Sequence, residues 1–392
     1  MLRGVAFRFI GNGLGAGFVR LGAEGKRGER KMRRGGSVYS GADFAHLLEG
    51  TKKLRILSYC YSYFYFYCLA HLALRNKQLA STFLHFTRFF HTTSRKMSTS
   101  TTTAAPPTPK TWLITGCSSG FGSALALAAL TSGDKVICTA RNTQALSHLT
   151  TLGAIPISLE LTSLPTILQA TITSVITDHG PIDYLVNNAG VVTTGTVESY
   201  TVTELQEHFI INVFSHITIA QAILPHMRAR RSGVIANIGS IAGWGEMPGL
   251  AVYCAGKHAL AAFSLSLKQE VAPFGITVTC IELGYFRTPI LDKTFESEKV
   301  IPEYEDFIGA ARGTLRGCSM KQPGDPKKAA ELVVEMLSGR GRGAGRVLPG
   351  RWVVGRDAVA FVEAALKRGE DMLEGWREVV STTDCDDVDP SK

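Results

Sequence analysis

From about Lys110 onward, short apolar runs alternate with stretches that favour helix. Seven runs have the length and composition of buried strands: TWLIT (111–115), KVICTA (135–140), AIPISL (154–159), IDYLVN (182–187), GVIANIG (233–239), ITVTCIE (276–282) and RVLP (346–349). Five stretches between them favour helices: 120–131, 162–178, 203–228, 250–272 and 326–338. This alternation is typical of a parallel sheet with helices on both faces. It predicts one α/β domain with a doubly wound parallel sheet.

Charge is unevenly distributed along the chain. The 392 residues carry a formal charge of +9, but residues 1–96 hold 17 Lys and Arg against 4 Asp and Glu, and the remainder holds 25 against 29. The basic character therefore belongs to the N-terminal segment, and the globular part gives no electrostatic argument for nucleic acid. The eight cysteines form no CxxC pair. This pattern argues against a zinc site or a disulfide framework, so no metal is expected and a reducing compartment fits.

Residues 1–96 form a basic, partly hydrophobic extension. Within it, residues 56–74 contain no Asp, Glu, Lys or Arg, and such a stretch is nearly long enough to span a bilayer. Three interpretations stay open: a membrane anchor, a mitochondrial targeting segment, and an upstream stretch that the native protein lacks. We favour Met97 as the native start, followed by a disordered linker (97–109) and the domain (110–392).

Localisation depends on that choice. A start at Met97 predicts a cytoplasmic protein, whereas a retained extension predicts a mitochondrial or membrane-associated one. Membrane contact is expected only if residues 56–74 are retained.

The first predicted strand runs into the glycine-rich stretch TGCSSGFG, residues 115–122. A turn of this kind between a strand and a helix lets backbone N–H groups approach a pyrophosphate, and the helix N-terminus adds partial positive charge. The glycine spacing also suits an ordinary tight turn between strand and helix, so the stretch alone does not decide between the two.

Further motifs follow in a fixed order: NNAG at residues 187–190, Asn212, Ser240, and YCAGK at residues 253–257. Together with TGCSSGFG, this set resembles the short-chain dehydrogenase/reductase family over roughly residues 110–350, and the C-terminal stretch is similar to fungal-type reductases of that family. The resemblance implies a Rossmann fold and an oxidoreductase that transfers a hydride between NADP(H) and a carbonyl or secondary alcohol.

The resemblance also implies cofactor-binding residues. Glu160, where the family usually has aspartate, would contact the adenine, and Asn188 would support the adenine ribose. LGYFRT (283–288) matches the family's PGxxxT, which holds the nicotinamide amide, although Leu283 replaces the proline. The full predicted set is Gly116, Ser118, Ser119, Gly120, Phe121, Gly122, Arg141, Glu160, Asn188, Tyr253, Lys257, Phe286 and Thr288.

The cofactor preference depends on the end of the second predicted strand. NAD binding needs an acidic side chain there, whereas NADP binding needs a cation for the 2′-phosphate. Ala140 occupies the position of the acid and Arg141 follows it. Because a guanidinium offers paired donors to a phosphate, this arrangement predicts a preference for NADP(H).

The resemblance implies a catalytic group of four residues. Tyr253 would exchange a proton with the substrate oxygen, and Ser240 would hydrogen-bond that oxygen. Lys257, one helical turn from Tyr253, would bind the nicotinamide ribose. Its charge, together with the positive charge of an oxidised nicotinamide, should lower the pKa of the phenol. Asn212 would hold a water that links Lys257 to solvent.

Substrate and assembly are less defined by the sequence. The segment 285–325 and the pair Met247 and Leu250 should form a pocket for a medium-sized apolar ketone or alcohol. A homo-oligomer is expected, because the helix after Tyr253 is rich in small apolar residues. An epimerase or a dehydratase of the same fold is an alternative, although such relatives carry longer C-terminal substrate domains. Another is an NADP(H)-binding sensor without catalysis, which would usually lack the tyrosine or the lysine.

Overall fold

The computed structural model describes residues 108–388 and four short strands in the N-terminal part of the chain. The chain divides into two units, Met1–Ala104 and Ala105–Lys392. In the first unit, Ala6–Arg8 pairs antiparallel with Phe18–Arg20, and Met32–Arg34 with Ser37–Tyr39. The predicted hydrophobic segment 56–74 and the predicted linker as far as residue 107 lie outside the described residues.

Nine strands are described in the second unit: β1 (Thr111–Ile114), β2 (Lys135–Ala140), β3 (Ile155–Ser158), β4 (Tyr184–Asn187), β5 (Thr193–Thr194), β6 (Gly233–Ser240), β7 (Ile276–Leu283), β8 (Phe295–Glu296) and β9 (Arg351–Val354). Seven of them form a parallel sheet in the order β3–β2–β1–β4–β6–β7–β9. Strands β5 and β8 form a separate parallel pair. The predicted doubly wound sheet, with its reversal of strand order between β1 and β4, is confirmed.

Ten helices are described in the same unit: α1 (Gly120–Thr131), α2 (Ser147–Thr150), α3 (Pro165–His179), α4 (Val202–Phe209), α5 (Ser215–Arg230), α6 (Ala251–Val271), α7 (Pro302–Tyr304), α8 (Ala310–Gly317), α9 (Pro326–Ser338) and α10 (Arg356–Val380). Helix α9 begins and ends at the predicted residues, and its sequence explains both ends. The Asp325 carboxylate accepts the Lys327 N–H at 2.8 Å, Pro326 occupies the first turn, and Gly339 ends the helix with φ of +65°.

Two apolar layers enclose the sheet. On one face, α1 and α9 pack with Trp112 and Ile114 of β1. On the other face, α3, α5 and α6 pack with Leu113 of the same strand. Both layers are buried, so the strands read as nearly continuous apolar runs.

The predicted strand at residues 346–349 is wrong, because the edge strand is Arg351–Val354 instead. Val347 is 91% exposed, and Pro349 has no N–H to give to a sheet ladder. Pairing with β7 begins only where the Cys280 N–H donates to the Gly350 carbonyl oxygen.

The helix predicted at 203–228 is divided into α4 and α5 by a π turn at Ile210–Phe214. The stretch Val202–Arg230 is long and apolar enough to cross a membrane. Half of its most apolar window is buried, and α5 packs against α3, as a core helix does. The π turn places one predicted site residue, Asn212, in its centre, and such turns often occur at functional sites.

Candidate active site

A cavity of about 710 Å³ lies along the carboxyl ends of the sheet strands. Its walls come from the segments that follow β1, β2, β3, β4, β6 and β7, from α6, and from the lid segment 285–322. All four predicted catalytic residues and all predicted cofactor-binding residues line this one cavity. In open α/β sheets, ligands bind at this edge, beside the reversal of strand order.

Two glycines in the loop after β1 are required by close packing. Gly116 has φ of +72°, and a Cβ there would lie 2.8 Å from the Cα of Ala189. A Cβ on Gly122 would lie 2.3 Å from Nδ2 of Asn188 and 2.4 Å from the Gly116 carbonyl oxygen. The loop therefore turns tightly at the start of α1, which leaves a backbone cradle at the helix N-terminus.

The side chain of Asn188 is hydrogen-bonded to the glycine-rich loop. Its Nδ2 donates to the carbonyl oxygens of Thr115 at 2.8 Å and Gly116 at 3.2 Å. In return, the Thr115 hydroxyl oxygen accepts the backbone N–H groups of Asn188 and Ala189, both at 3.0 Å. Thr115 is thus a supporting residue that the motif contained but that was not predicted as part of the site.

At the rim of the cavity, beyond the ends of β2 and β3, Arg141 faces Glu160. Nε of Arg141 lies 4.0 Å from Oε2 of Glu160, and the two side chains are 78% and 43% exposed. The sequence predicts both as cofactor contacts but not their pairing. The two side chains thus carry opposite charges to the cavity rim without a hydrogen bond between them.

Helix α6 places Lys257 beneath Tyr253. Lys257 Nζ lies 5.8 Å from the centre of the Tyr253 ring and donates to the Ile238 carbonyl oxygen at 2.9 Å. Lys257 is only 5% exposed, and burial lowers its pKa to about 8. The remaining N–H donors of the amine are available to a ligand in the cavity.

The protein alone does not lower the pKa of Tyr253, so the part of the expectation that rests on Lys257 is wrong, and the contribution of an oxidised nicotinamide stays a prediction. Burial raises the pKa of Tyr253 to about 12, and the neighbouring Ser240 hydroxyl opposes that rise only in part. Desolvation of the phenolate is the largest cause of this rise. At neutral pH the phenol is protonated, as a proton donor must be.

Ser240 ends β6, and its orientation is fixed by the turn that follows. Its Oγ accepts the Ala242 N–H at 3.1 Å, so the hydroxyl proton remains available for donation. The turn Ile241–Gly243 lies between α6 and a buried carboxylate, because a Cβ on Gly243 would lie 3.2 Å from both the Lys257 carbonyl oxygen and Oε1 of Glu282.

Asn212 is fully buried in the π turn. Its Oδ1 accepts the Val191 N–H at 3.1 Å, and its Nδ2 donates to the His208 carbonyl oxygen at 3.1 Å. These bonds tie the turn to the strand end that carries NNAG. The water predicted at Asn212 stays a prediction.

Two buried histidines flank this region, and neither was predicted. His208 lies 2.6 Å from the Thr193 hydroxyl, and His216 donates from Nε2 to the Ala189 carbonyl oxygen at 2.9 Å. Burial, with a smaller contribution from the Lys257 charge, lowers their pKa values to about 4 and about 3. Both are therefore neutral near pH 7, so Lys257 carries the local positive charge below its own pKa.

The segment that matches PGxxxT is anchored by the last strand and helix. The Gly284 N–H donates to the Val354 carbonyl oxygen at 2.9 Å, and the Tyr285 N–H donates to Oδ2 of Asp357 at 2.6 Å. Phe286 is buried against Phe121 of the glycine-rich loop, with 6.1 Å between ring centres. Asp357 was not predicted as part of the site, although it lies in the C-terminal stretch that is similar to the fungal-type reductases.

The part of the cavity around Tyr253 is apolar. Val192, Leu250 and Cys254 form a small buried cluster with Ala242, and Met247 and Leu315 pack against it beside the Tyr253 ring. Met247 and Leu250 thus lie where they were predicted. Phe307, from the predicted pocket segment 285–325, is 66% exposed and does not line the cavity.

Charged side chains are few in this cavity. Among its described lining residues, Glu207 is acidic, and the basic Lys293 donates to the Ser119 hydroxyl at 3.2 Å across the mouth of the glycine-rich loop. The others are Arg141, Glu160 and Lys257. Lys293 was not predicted from the sequence.

The fold and these residues define a dinucleotide-dependent oxidoreductase site, and comparisons agree. A family model described as short chain dehydrogenase matches residues 110–299. Oxidoreductase BOA17 of Botryotinia fuckeliana is 35% identical over 274 residues, which cover 69% of this chain and 97% of that protein. The chain belongs to the short-chain dehydrogenase/reductase family.

Solved structures share the fold. A short-chain dehydrogenase from Streptomyces avermitilis is 38% identical, with a TM-score of 0.65, and the match covers 71% of this chain and all of that one. A family member from Burkholderia phymatum, solved in complex with NAD, is 23% identical, with a TM-score of 0.58 and coverage of 68% and 95%. At that identity the second likeness concerns the fold alone.

Proposed function

We propose that the chain transfers a hydride between NADP(H) and a neutral, apolar carbonyl compound or its secondary alcohol. The observation that carries this proposal is the meeting of Tyr253, Ser240 and Lys257 at one cavity that also contains the glycine cradle. The loop fits a dinucleotide, because Gly116 and Gly122 allow the tight turn that brings its backbone to the cavity, whereas Cβ atoms there would clash with Ala189 and Asn188.

Different residues would bind different parts of the dinucleotide. The backbone of the glycine-rich loop and the N-terminus of α1 would hold the pyrophosphate. Arg141 would hold the 2′-phosphate, because its guanidinium is 78% exposed at the rim and can exchange Glu160 for a phosphate. Lys257 would bind the nicotinamide ribose, and Phe286 and Thr288 would lie at the nicotinamide. When bound, NADP(H) supplies or accepts the hydride and, in its oxidised form, a positive charge.

Proton transfer would belong to Tyr253. In the reduction of a ketone, its hydroxyl gives a proton to the substrate oxygen while the carbonyl carbon receives the hydride, so that a secondary alcohol forms. Ser240 donates a hydrogen bond to the same oxygen and stabilises its developing charge. The phenolate left on Tyr253 is stabilised by the Lys257 ammonium beneath its ring, which lies 5.8 Å from the ring centre.

The substrate class follows from the lining around Tyr253. That region is formed mostly by Val192, Met247, Leu250 and Leu315. Glu207 adds a negative charge to the same cavity, and Lys293 is hydrogen-bonded to Ser119 of the glycine-rich loop rather than placed in this apolar cluster, where an anionic group would be costly to desolvate. A neutral apolar ketone, aldehyde or quinone therefore fits better than a carboxylate or a phosphate ester.

The experiment is oxidation of NADPH, with NADH alongside, against neutral ketones, aldehydes and quinones and their carboxylated analogues. Tyr253→Phe should abolish turnover and leave NADPH affinity unchanged. Tyr285→Phe is the matched control, because it removes the other phenol that lines the cavity. Full activity of Tyr253→Phe contradicts the mechanism. Tight NADPH binding without turnover on every class favours the sensor instead.

A further inference from the structure

The side-chain amide of Gln322 has its nitrogen hydrogen-bonded, whereas its oxygen accepts no hydrogen bond from the residues that the structure describes. Gln322 lies between α8 and α9, is 3% exposed and lines the cavity. Its Nε2 donates to the Thr288 carbonyl oxygen at 3.2 Å. Within the described part of the chain, its Oε1 is buried without any hydrogen-bond partner. A buried acceptor of this kind is costly unless a ligand or water completes it.

The orientation of the amide follows from its neighbour. A carbonyl oxygen only accepts, so the nitrogen of Gln322 must face Thr288, and the oxygen is the free atom. The backbone of this segment is also fixed. The Gln322 carbonyl oxygen accepts Nε of Arg287 at 3.1 Å, and Gly324 exchanges backbone hydrogen bonds with Tyr285 at 3.0 Å and Arg287 at 2.9 Å.

We infer that Gln322 is a cofactor-binding residue whose Oε1 accepts a hydrogen bond from the carboxamide N–H of the nicotinamide. The inference rests on the proposed function, since it assumes a nicotinamide beside Thr288. The free atom needs a donor, and the segment that holds Gln322 is bonded to the predicted nicotinamide segment at 285–288. The adenine amine, the other N–H donor of the dinucleotide, belongs at the opposite end with Arg141.

The test pairs a protein variant with a changed cofactor. NADP⁺ is compared with 3-acetylpyridine adenine dinucleotide phosphate, in which a methyl ketone replaces the carboxamide and offers no N–H. Gln322→Met keeps the length of the side chain and removes the acceptor. Affinities are measured by calorimetry, which needs no turnover.

The wild type should bind NADP⁺ more tightly than the analogue by about 3- to 10-fold, the range of one net hydrogen bond. In Gln322→Met the two affinities should converge, because the lost acceptor affects NADP⁺ alone, whereas the lost donor to Thr288 affects both ligands alike. Lys321→Met, at the exposed neighbouring residue, should keep the wild-type ratio. Gln322→Glu, which retains an acceptor but loses the donor to Thr288, should keep a preference for NADP⁺ at lower overall affinity.

Equal weakening of both ligands in Gln322→Met would overturn the inference, because it would mean that Gln322 only supports Thr288. Unchanged affinity for both ligands in Gln322→Met would overturn it as well. The same affinities are also measured for NAD⁺ and its acetylpyridine analogue. These measurements distinguish a failure of the Gln322 inference from a failure of the proposed function. If the wild type binds no dinucleotide at all, the proposed function fails; if binding is normal and only the ratio is unaffected, the Gln322 inference alone fails.

Discussion

The carboxylate of Glu282, on β7, is fully buried and ion-paired with Arg351 of the edge strand β9. Nε of Arg351 lies 3.0 Å from Oε2 of Glu282, which also accepts the Trp244 indole N–H at 2.6 Å. The guanidinium stacks on the Trp244 ring, with Cζ 3.7 Å from its centre, and donates to the Gly243 carbonyl oxygen at 2.9 Å. The pair therefore fixes the turn that follows Ser240 to the edge of the sheet.

Removing one partner of this pair should be strongly destabilising. Arg351→Ala leaves Glu282 buried and uncompensated, so we expect a loss of about 3–5 kcal/mol in the free energy of unfolding. Urea denaturation measures this loss. The matched control is Lys367→Ala, which breaks the exposed pair Lys367–Asp371 and should cost about 1 kcal/mol or less. If Arg351→Ala and Lys367→Ala lost the same free energy of unfolding, the buried pair would not stabilise the turn that follows Ser240.

The structure explains why local features were predictable and this pair was not. Helices 120–131 and 326–338 were predicted with their observed bounds, because glycine, proline and an Asp cap mark their ends. Tyr253 and Lys257 could be paired because four residues separate them on one helix. The partners of Glu282 are set by pairing of β7 with β9, and that strand was predicted five residues too early.

The pKa of Tyr253 shows a second limit of sequence reasoning. Proximity of a lysine predicted a lowered value, but burial raises it to about 12. The pKa depends on how far the phenol is shielded from water, and the spacing of residues in the sequence does not reveal that shielding. The roles of Asp357 and Gln322 were likewise missed, because each is 30 residues or more from the loop it supports.

Burial of Lys257 predicts a pH-dependent stability. Its folded pKa of about 8 lies below its ordinary value of 10.5, so between these values the unfolded chain binds more protons. The resulting destabilisation, about 3 kcal/mol, is complete below pH 8 and is relieved as pH rises toward 10.5. Lys257→Met should remove this dependence.

The measurement is the free energy of unfolding at pH 7 and pH 9.5 for both proteins. The advantage of Lys257→Met over the wild type should be largest at pH 7 and shrink at pH 9.5. Comparing the two pH values cancels the packing effect of methionine, which does not titrate. Lys327→Met, on the exposed side of α9, should show no such change. A constant difference across the range would contradict a lowered pKa for Lys257.

Arg141 should discriminate between the two dinucleotides. A hydrogen bond to a charged group contributes about 1.5–3 kcal/mol, so Arg141→Ala should weaken NADPH binding by about 10- to 100-fold and leave NADH binding nearly unchanged. Glu160→Gln should strengthen NADPH binding, since it releases the guanidinium from its partner at 4.0 Å.

Fluorescence titration with both cofactors measures these effects. Arg377→Ala, on the exposed part of α10, is the control for a general change in charge. If Arg141→Ala weakened NADH and NADPH equally, Arg141 would shape the adenosine end without reading the 2′-phosphate.

Asp357 should restrain the loop at residues 284–288, in the way that the proline of the PGxxxT motif does in other family members. Leu283 leaves the loop without that constraint, but Oδ2 of Asp357 accepts the Tyr285 N–H at 2.6 Å. The carboxylate also lies in the first turn of α10, where the helix dipole favours negative charge. Asp357→Ala should therefore raise amide hydrogen exchange across residues 284–288 and weaken NADPH binding by about 10-fold, the effect of one lost charged hydrogen bond.

Asp357→Asn, which keeps an acceptor oxygen, should restore most of the protection from exchange. Asp371→Ala, on the exposed part of the same helix, should leave residues 284–288 unchanged. Exchange monitored by mass spectrometry locates the effect, and a cofactor titration measures its consequence. A fall in melting temperature without faster exchange in this loop would assign Asp357 to the helix alone. Faster exchange with unchanged affinity would show that the loop need not be rigid to bind the cofactor.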